Sequence, residues 1–185
     1  NSGNVQDEFF FLSRVDCDLR NTEDVYNTFE TIKPDVVIHL ASCVGGVYEN
    51  MINNYNYFLD NTRLNLNIVD ACNKFGVKRL INILSTCIFP DNGIVYPLTS
   101  DQLHNGLPHD SNIGYAYSKR ILHLASKLLT KKSKKMTKYF IANDAADDTG
   151  MWPVTALRAV TCAADATVLV QFDAGLDDPT GATSN

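Results

Sequence analysis

With 185 residues, 45% of them hydrophobic, the chain can bury one core and corresponds to about one domain. The net charge is −5, but from Ile141 onward there are seven Asp and a single Arg, so the acidity sits in the tail and overall charge points to no nucleic-acid partner. The longest apolar stretches, Val36 to Ser42 and Leu80 to Ser85, fall far short of the roughly 20 residues that cross a bilayer, and no secretory leader and no membrane association are expected.

Cys17, Cys43, Cys72, Cys87 and Cys162 are scattered and lack C-x-x-C spacing, so neither a zinc site nor a redox dithiol is expected. A reducing, cytoplasmic setting follows from that usage. Composition also changes near residue 140, where an Asn-, Lys- and Ile-rich part gives way to a tail with ten Ala. The expected organisation is therefore a domain over 1–140 and a divergent Ala/Asp/Thr-rich tail over 141–185.

In chain order, Phe9 to Leu12 is a short apolar run of the kind buried parallel strands show. Asn21 to Ile32 carries Val25, Phe29 and Ile32 at helical spacing, with Thr22 as the candidate N-cap and Lys33-Pro34 as the stop. Asp35 to Ala41 reads as a second strand. Tyr57 to Phe75 places Phe58, Leu64, Ile68, Val69 and Cys72 near one helical face and ends at Gly76. Lys78 to Ser85 is a third strand, and a third helix is predicted from about Gly114 to Leu129. The basic run Lys131, Lys132, Lys134 and Lys135 reads as a solvated helix end, with phosphate contact as the other possibility. In the tail, Ala166 to Phe172 alternates like a strand and Asp177 to Gly181 reads as a turn. The Asp cluster lacks calcium-loop spacing, so no metal is expected.

Strand, helix, strand, helix, strand, loop, helix is the order of a doubly wound parallel α/β sheet, whose ligands bind at the carboxyl ends of the strands. Chemistry is then expected just after Leu12, Leu40 and Leu84. Tyr115 and Lys119 stand four apart on a predicted helix and share a face. A lysine ammonium beside a phenol favours phenolate and makes the hydroxyl a usable general acid. Ser85, at the end of the third strand, can hydrogen-bond a substrate carbonyl oxygen that the tyrosine then protonates. Taken together, Ser, Tyr and Lys make a carbonyl-reductase site. The same residues also read as a turn serine with a solvent-facing Tyr/Lys pair, and Tyr117 competes as the aromatic partner.

Four segments carry a family resemblance in order: His39-Leu40-Ala41-Ser42-Cys43-Val44-Gly45-Gly46, Ser85-Thr86-Cys87-Ile88-Phe89-Pro90, His104-Asn105-Gly106, and Gly114-Tyr115-Ala116-Tyr117-Ser118-Lys119-Arg120. Over roughly residues 9–130 the chain resembles the GDP-L-fucose synthases, extended short-chain dehydrogenase/reductases with a Rossmann-like domain. The resemblance implies Ser85, Tyr115 and Lys119 as catalytic residues and Cys87 as an acid/base in epimerisation. It implies an NADP(H)-dependent 3,5-epimerase/4-reductase acting on GDP-4-keto-6-deoxy-D-mannose, and a homodimer through a helical interface.

Arg14, two positions after Leu12, stands where such folds contact the adenosine ribose, and a guanidinium there suits a 2′-phosphate. It also reads as an exposed loop arginine, and Cys87 as a small buried residue. Asp18 and Leu19 resemble the segment near the adenine. Leu40, Ala41, Ile83, Leu84, Ser85 and Thr86 resemble the strand ends lining the cofactor, beside Tyr115 and Lys119.

Two departures accompany the match. No glycine-rich G-x-x-G-x-x-G turn occurs, and the sequence reaches the second expected strand by Phe9, so the first strand and its pyrophosphate loop are expected to be absent. After Tyr139 the segments expected to hold the sugar nucleotide cannot be placed. A catalytically inactive or merely dimerising remnant is therefore a competing reading, as is another nucleotide-sugar epimerase or dehydratase of the extended family.

Overall fold

The computed structural model describes residues 7–132, 140–141 and 167–171. Strand β1 (Glu8–Leu12) is followed by helix α1 (Thr22–Ile32), β2 (Val36–His39), the long helix α2 (Val47–Phe75) and β3 (Arg79–Leu84). Three 3₁₀ turns at Thr86–Ile88, Ser100–His104 and Asp110–Asn112 lead to α3 (Ile113–Lys132), with β4 (Phe140–Ile141) and β5 (Thr167–Gln171) beyond. Lys134, Lys135, Cys162, the Asp177 to Gly181 turn and the outer residues Ala166 and Phe172 of the expected tail strand lie outside the described residues.

The five strands form one sheet in the order β1-β5-β2-β3-β4. β2 pairs with β3, and β3 with β4, in parallel, as the doubly wound reading requires. β5 lies between β1 and β2 and runs antiparallel to both. A doubly wound sheet places its first strand in that slot. Because β5 is reversed, its first residue, Thr167, is the one that meets Leu12 and His39 at the carboxyl ends of β1 and β2.

Local chemistry sets the helix ends. Asn21, not Thr22, caps α1: its backbone is extended (φ −94°, ψ 114°), and its side chain accepts from the backbone N–H groups of Glu23 and Asp24. Thr22 is already helical and cannot serve. Lys33 closes the same helix in the left-handed conformation (φ 51°), donating its N–H to Phe29 O before Pro34 blocks continuation. α2 begins ten residues before the expected Tyr57 start and bends at Asn53 (φ −116°, ψ 18°). Its first stretch is Asn-rich and largely exposed, so it shows little of the apolar stripe that announces a helix.

The core lies between the sheet and the helices. Val25 and Phe29 of α1, Val37 and Leu80 of the sheet, Ile68 and Cys72 of α2, Leu122 of α3, and Ile88 and Leu103 of the turns are all buried in one cluster. Each such large aliphatic or aromatic side chain contributes on the order of 2 kcal/mol when withdrawn from water. Cys17, Cys43, Cys72 and Cys87 are in the thiol form, with no disulfide among them. Among the described residues no helix is long and apolar enough to cross a membrane.

Candidate active site at the carboxyl edge of the sheet

Three segments converge on the ends of β2 and β3. The first is the loop 40–46 leaving β2, the second the Thr86–Ile88 turn leaving β3, and the third the first two turns of α3.

Ser85 is the N-cap of the Thr86–Ile88 turn, with an extended backbone and an Oγ that accepts from Cys87 N at 3.4 Å. That geometry turns the chain sharply out of the sheet and leaves the hydroxyl hydrogen free of this bond. Ser85, Thr86 and Cys87 are all half-buried, open enough at the sheet edge to meet a ligand.

Tyr115 and Lys119 sit one turn apart on α3, with Lys119 Nζ 5.8 Å from the centre of the Tyr115 ring. The lysine is 2% exposed, and its Nζ donates to Ile83 O at 3.2 Å. Burial pulls its pKa down to about 8, while the neighbouring thiols of Cys87 and Cys43 act in the opposite direction. Tyr117 belongs to a different neighbourhood, its ring centre 5.3 Å from the guanidinium carbon of Arg120.

The helix start is held against α2 by a close backbone approach. Gly114 N donates to Asn54 Oδ1 at 2.9 Å, and a Cβ at Gly114 would fall 2.1 Å from Asn54 O. Only glycine fits there, which explains why it directly precedes Tyr115.

Four asparagines on α2 fasten the surrounding loops. Asn50 Nδ2 donates to Gly45 O (2.7 Å) and Gly46 O (3.1 Å). Asn61 Oδ1 accepts from Ser42 Oγ (2.9 Å) and Cys43 N (2.8 Å), while its Nδ2 donates to Cys43 O (2.8 Å). Asn65 Oδ1 accepts from His39 Nε2 at 2.8 Å, and its Nδ2 donates to Ser118 O at 3.3 Å. Asn54 completes the set through Gly114. His39 is fully buried; burial and the Lys119 charge together lower its pKa to about 3, against the Asn65 hydrogen bond.

Sequence reasoning did not single out these asparagines or His39 as parts of the site. A signal was present: α2 carries eight Asn in 29 residues, and asparagine is a poor helix former unless its amide is used in tertiary contacts.

At the far end of the edge, Arg14 lies in the turn after β1, its side chain 63% exposed and its Nε 3.8 Å from Asp18 Oδ2. The Asp18 carboxylate is gripped by Arg20, through Nη2 at 2.7 Å and Nε at 3.0 Å, which lowers its pKa to about 2. Arg20 also reaches Asp60 of α2 at 3.1 Å. The side chains of Leu19, Ala41 and Leu84 are buried in the core, whereas Leu40 and Ile83 are half-buried at the edge. Ser85, Thr86, Cys87, Tyr115 and Lys119 are thus brought to one place, around the ends of β2 and β3. Arg14 and Asp18 lie at the end of β1, separated from them in the sheet by β5.

The model of the NAD dependent epimerase/dehydratase family matches residues 1–142. The chain is 43% identical over 121 residues to the GDP-L-fucose synthase of Dictyostelium discoideum, covering 65% of this chain and 38% of that protein. It is 40% identical over 116 residues to the probable GDP-L-fucose synthase of Drosophila melanogaster, covering 63% and 36% of the two chains. The chain thus spans little more than a third of the length of these relatives. Its fold superposes on a GDP-L-fucose synthetase from Naegleria fowleri bound to NADP with a TM-score of 0.65 and 40% identity, over 72% of this chain and 41% of that one. With the matched span covering well over half of its length, the chain belongs to the NAD dependent epimerase/dehydratase family.

Proposed function

We propose that this chain carries the catalytic half-site of a GDP-L-fucose synthase-like enzyme, an NADPH-dependent 3,5-epimerase/4-reductase acting on GDP-4-keto-6-deoxy-D-mannose. The observation that carries the reading is the buried Lys119 beside Tyr115, across from Ser85 and Cys87 at the end of β3.

In this reading the Ser85 hydroxyl donates to the C4 carbonyl oxygen and fixes the sugar. That polarised carbonyl acidifies the hydrogens on the flanking carbons, C3 and C5, where Cys87 would act on one face as one member of an acid/base pair, the proton being exchanged on the opposite face by a second group. Tyr115 delivers its hydroxyl proton to the C4 oxygen during reduction, and the Lys119 ammonium steadies the phenolate left behind. NADPH, when bound, supplies the hydride. Tyr117 is disfavoured as the acid because its ring lies by Arg120 rather than by Lys119.

The residues fit this cofactor at its two ends. Arg14 presents a largely exposed guanidinium suited to a 2′-phosphate, beside Asp18 and Leu19 at the adenosine end. In this reading Leu40, Ile83 and Thr86, with the backbone of the buried Ala41 and Leu84, would line the nicotinamide end beside Ser85, Tyr115 and Lys119. A homodimer is part of the same reading. α2 and α3 expose Leu66, Leu124 and Leu128, and Leu66 and Leu128 flank a shallow groove between the helices that a second copy's helices would cover.

A second reading is favoured by β5. Reversed in the slot next to β2, it brings Thr167 to the edge where a parallel first strand would deliver a phosphate-binding turn. A chain held this way is a dimerising remnant without cofactor affinity.

NADPH titration of the full chain by calorimetry separates the two readings, with Tyr115→Phe/Lys119→Ala as the site control. Micromolar binding lost in the control supports the enzyme, and turnover of GDP-4-keto-6-deoxymannose is then measured. No binding at millimolar NADPH leaves the remnant.

A further inference from the structure

Arg120 follows Lys119 on α3 and is 5% exposed. Its Nε donates to Ile88 O at 2.6 Å and its Nη1 to Gly106 O at 2.9 Å. Ile88 closes the turn that carries Cys87, and Gly106 lies in the loop after Ser100–His104.

Those two loops also touch each other. Asp91 N donates to Leu107 O at 2.9 Å, and a Cβ on Gly106 would stand 3.1 Å from Pro90 Cβ. The guanidinium therefore ties both loops to α3, in addition to the Asp91–Leu107 hydrogen bond that joins the loops to each other. A forked, permanently charged group can satisfy two divergent carbonyls at once, which a lysine ammonium on a flexible stem does poorly. Both carbonyls belong to loops with no regular ladder to hold them, so removing the fork frees the loops more than it loosens the core.

We propose that Arg120 is a positioning residue that fixes the Cys87 turn and the 104–107 loop against the helix bearing Tyr115 and Lys119. The importance of that placement for catalysis rests on the function proposed above, but the placement can be tested without turnover.

The test is site-resolved alkylation of the full chain by iodoacetamide, followed by peptide mass spectrometry, in wild type, Arg120→Met and Arg120→Lys. In Arg120→Met, Cys87 is expected to react about fivefold faster or more, as its turn swings out. Cys72 and Cys17, both buried, stay protected. Arg120→Lys, which keeps the charge and one hydrogen bond, returns Cys87 part of the way to wild type.

A wild-type alkylation rate at Cys87 in Arg120→Met would overturn the proposal. If Arg120→Met exposes all the thiols through loss of the fold, Arg120→Lys decides: selective acceleration at Cys87 supports the proposal and an unchanged Cys87 overturns it. Failure of NADPH to bind would leave either result standing.

Discussion

The Nζ of Lys119 lies 3.2 Å from Ile83 O, so a lysine of α3 is hydrogen-bonded to the penultimate residue of β3. Burial of that ammonium carries a cost that depends on pH. The folded pKa is lowered from 10.5 to about 8. Below pH 8 both the folded and unfolded chains hold the proton and the cost is present in full. Between 8 and 10.5 the unfolded chain keeps a proton that the folded chain has released, so stability rises with pH across that window. Urea unfolding of wild type and Lys119→Met at pH 7 and pH 10.5 should show wild type gaining on the variant by on the order of 3 kcal/mol. A pH-independent difference would mean that the ammonium is solvated.

His39 gives the companion effect on the acid side. Burial, then the Lys119 charge, lowers its pKa from 6.5 to about 3, with the Asn65 hydrogen bond opposing. Between those values the unfolded chain binds a proton that the folded chain refuses, so stability falls as pH drops from 6.5 toward 3. His39→Gln, which can still reach Asn65, is expected to flatten that decline by several kcal/mol in urea titrations at pH 7 and pH 4. Parallel declines in the two proteins would place the acid sensitivity elsewhere.

Gly114→Ala tests the close approach of α3 to α2. The added Cβ would sit 2.1 Å from a backbone oxygen of Asn54, which cannot rotate away as a side chain could. Relief requires moving the helix start that carries Tyr115. The variant is expected to lose about 1–3 kcal/mol of stability by urea denaturation. It should also lose the Asn54 bond to Gly114 N, read as faster amide exchange at residues 113–116. Wild-type stability with unchanged exchange would show that the contact yields freely.

The sequence announces the elements whose periodicity is set by burial. β2 and β3 read as short apolar runs because both faces are covered, and α1 shows Val25 and Phe29 at helical spacing because one face packs on the core. The placement of Ser85 at a strand end and of Tyr115 and Lys119 on one helix face was legible for a related reason, since strand ends and i,i+4 spacing fix positions before any tertiary contact is known. The start of α2 was hidden because its inward residues are Asn50 and Asn54, whose partners are backbone atoms of remote loops. Arg120 was hidden likewise, as its acceptors, Ile88 O and Gly106 O, are set by loop geometry and not by sequence spacing. The reversed direction of β5 could not be read at all, because an alternating strand carries the same pattern whichever way it runs.

β5 supplies the sharpest test of the sheet order. Leu169 is paired with Phe10 on one side and Val37 on the other, so it lies in the middle of a strand with neighbours on both flanks. Proline there removes a backbone N–H from the ladder and forces φ near −65°, both of which a central strand resists. Leu169→Pro is expected to lower the urea midpoint by an amount corresponding to about 3 kcal/mol, and to speed amide exchange at residues 9–11 of β1 as well as 36–38 of β2. Coupling of the two sets matters more than the loss of stability. Faster exchange in β1 with β2 unchanged would mean that β5 pairs with β1 alone and that the slot beside β2 is open to another strand. Unchanged exchange in both would remove β5 from the sheet, and with it the physical basis for the remnant reading.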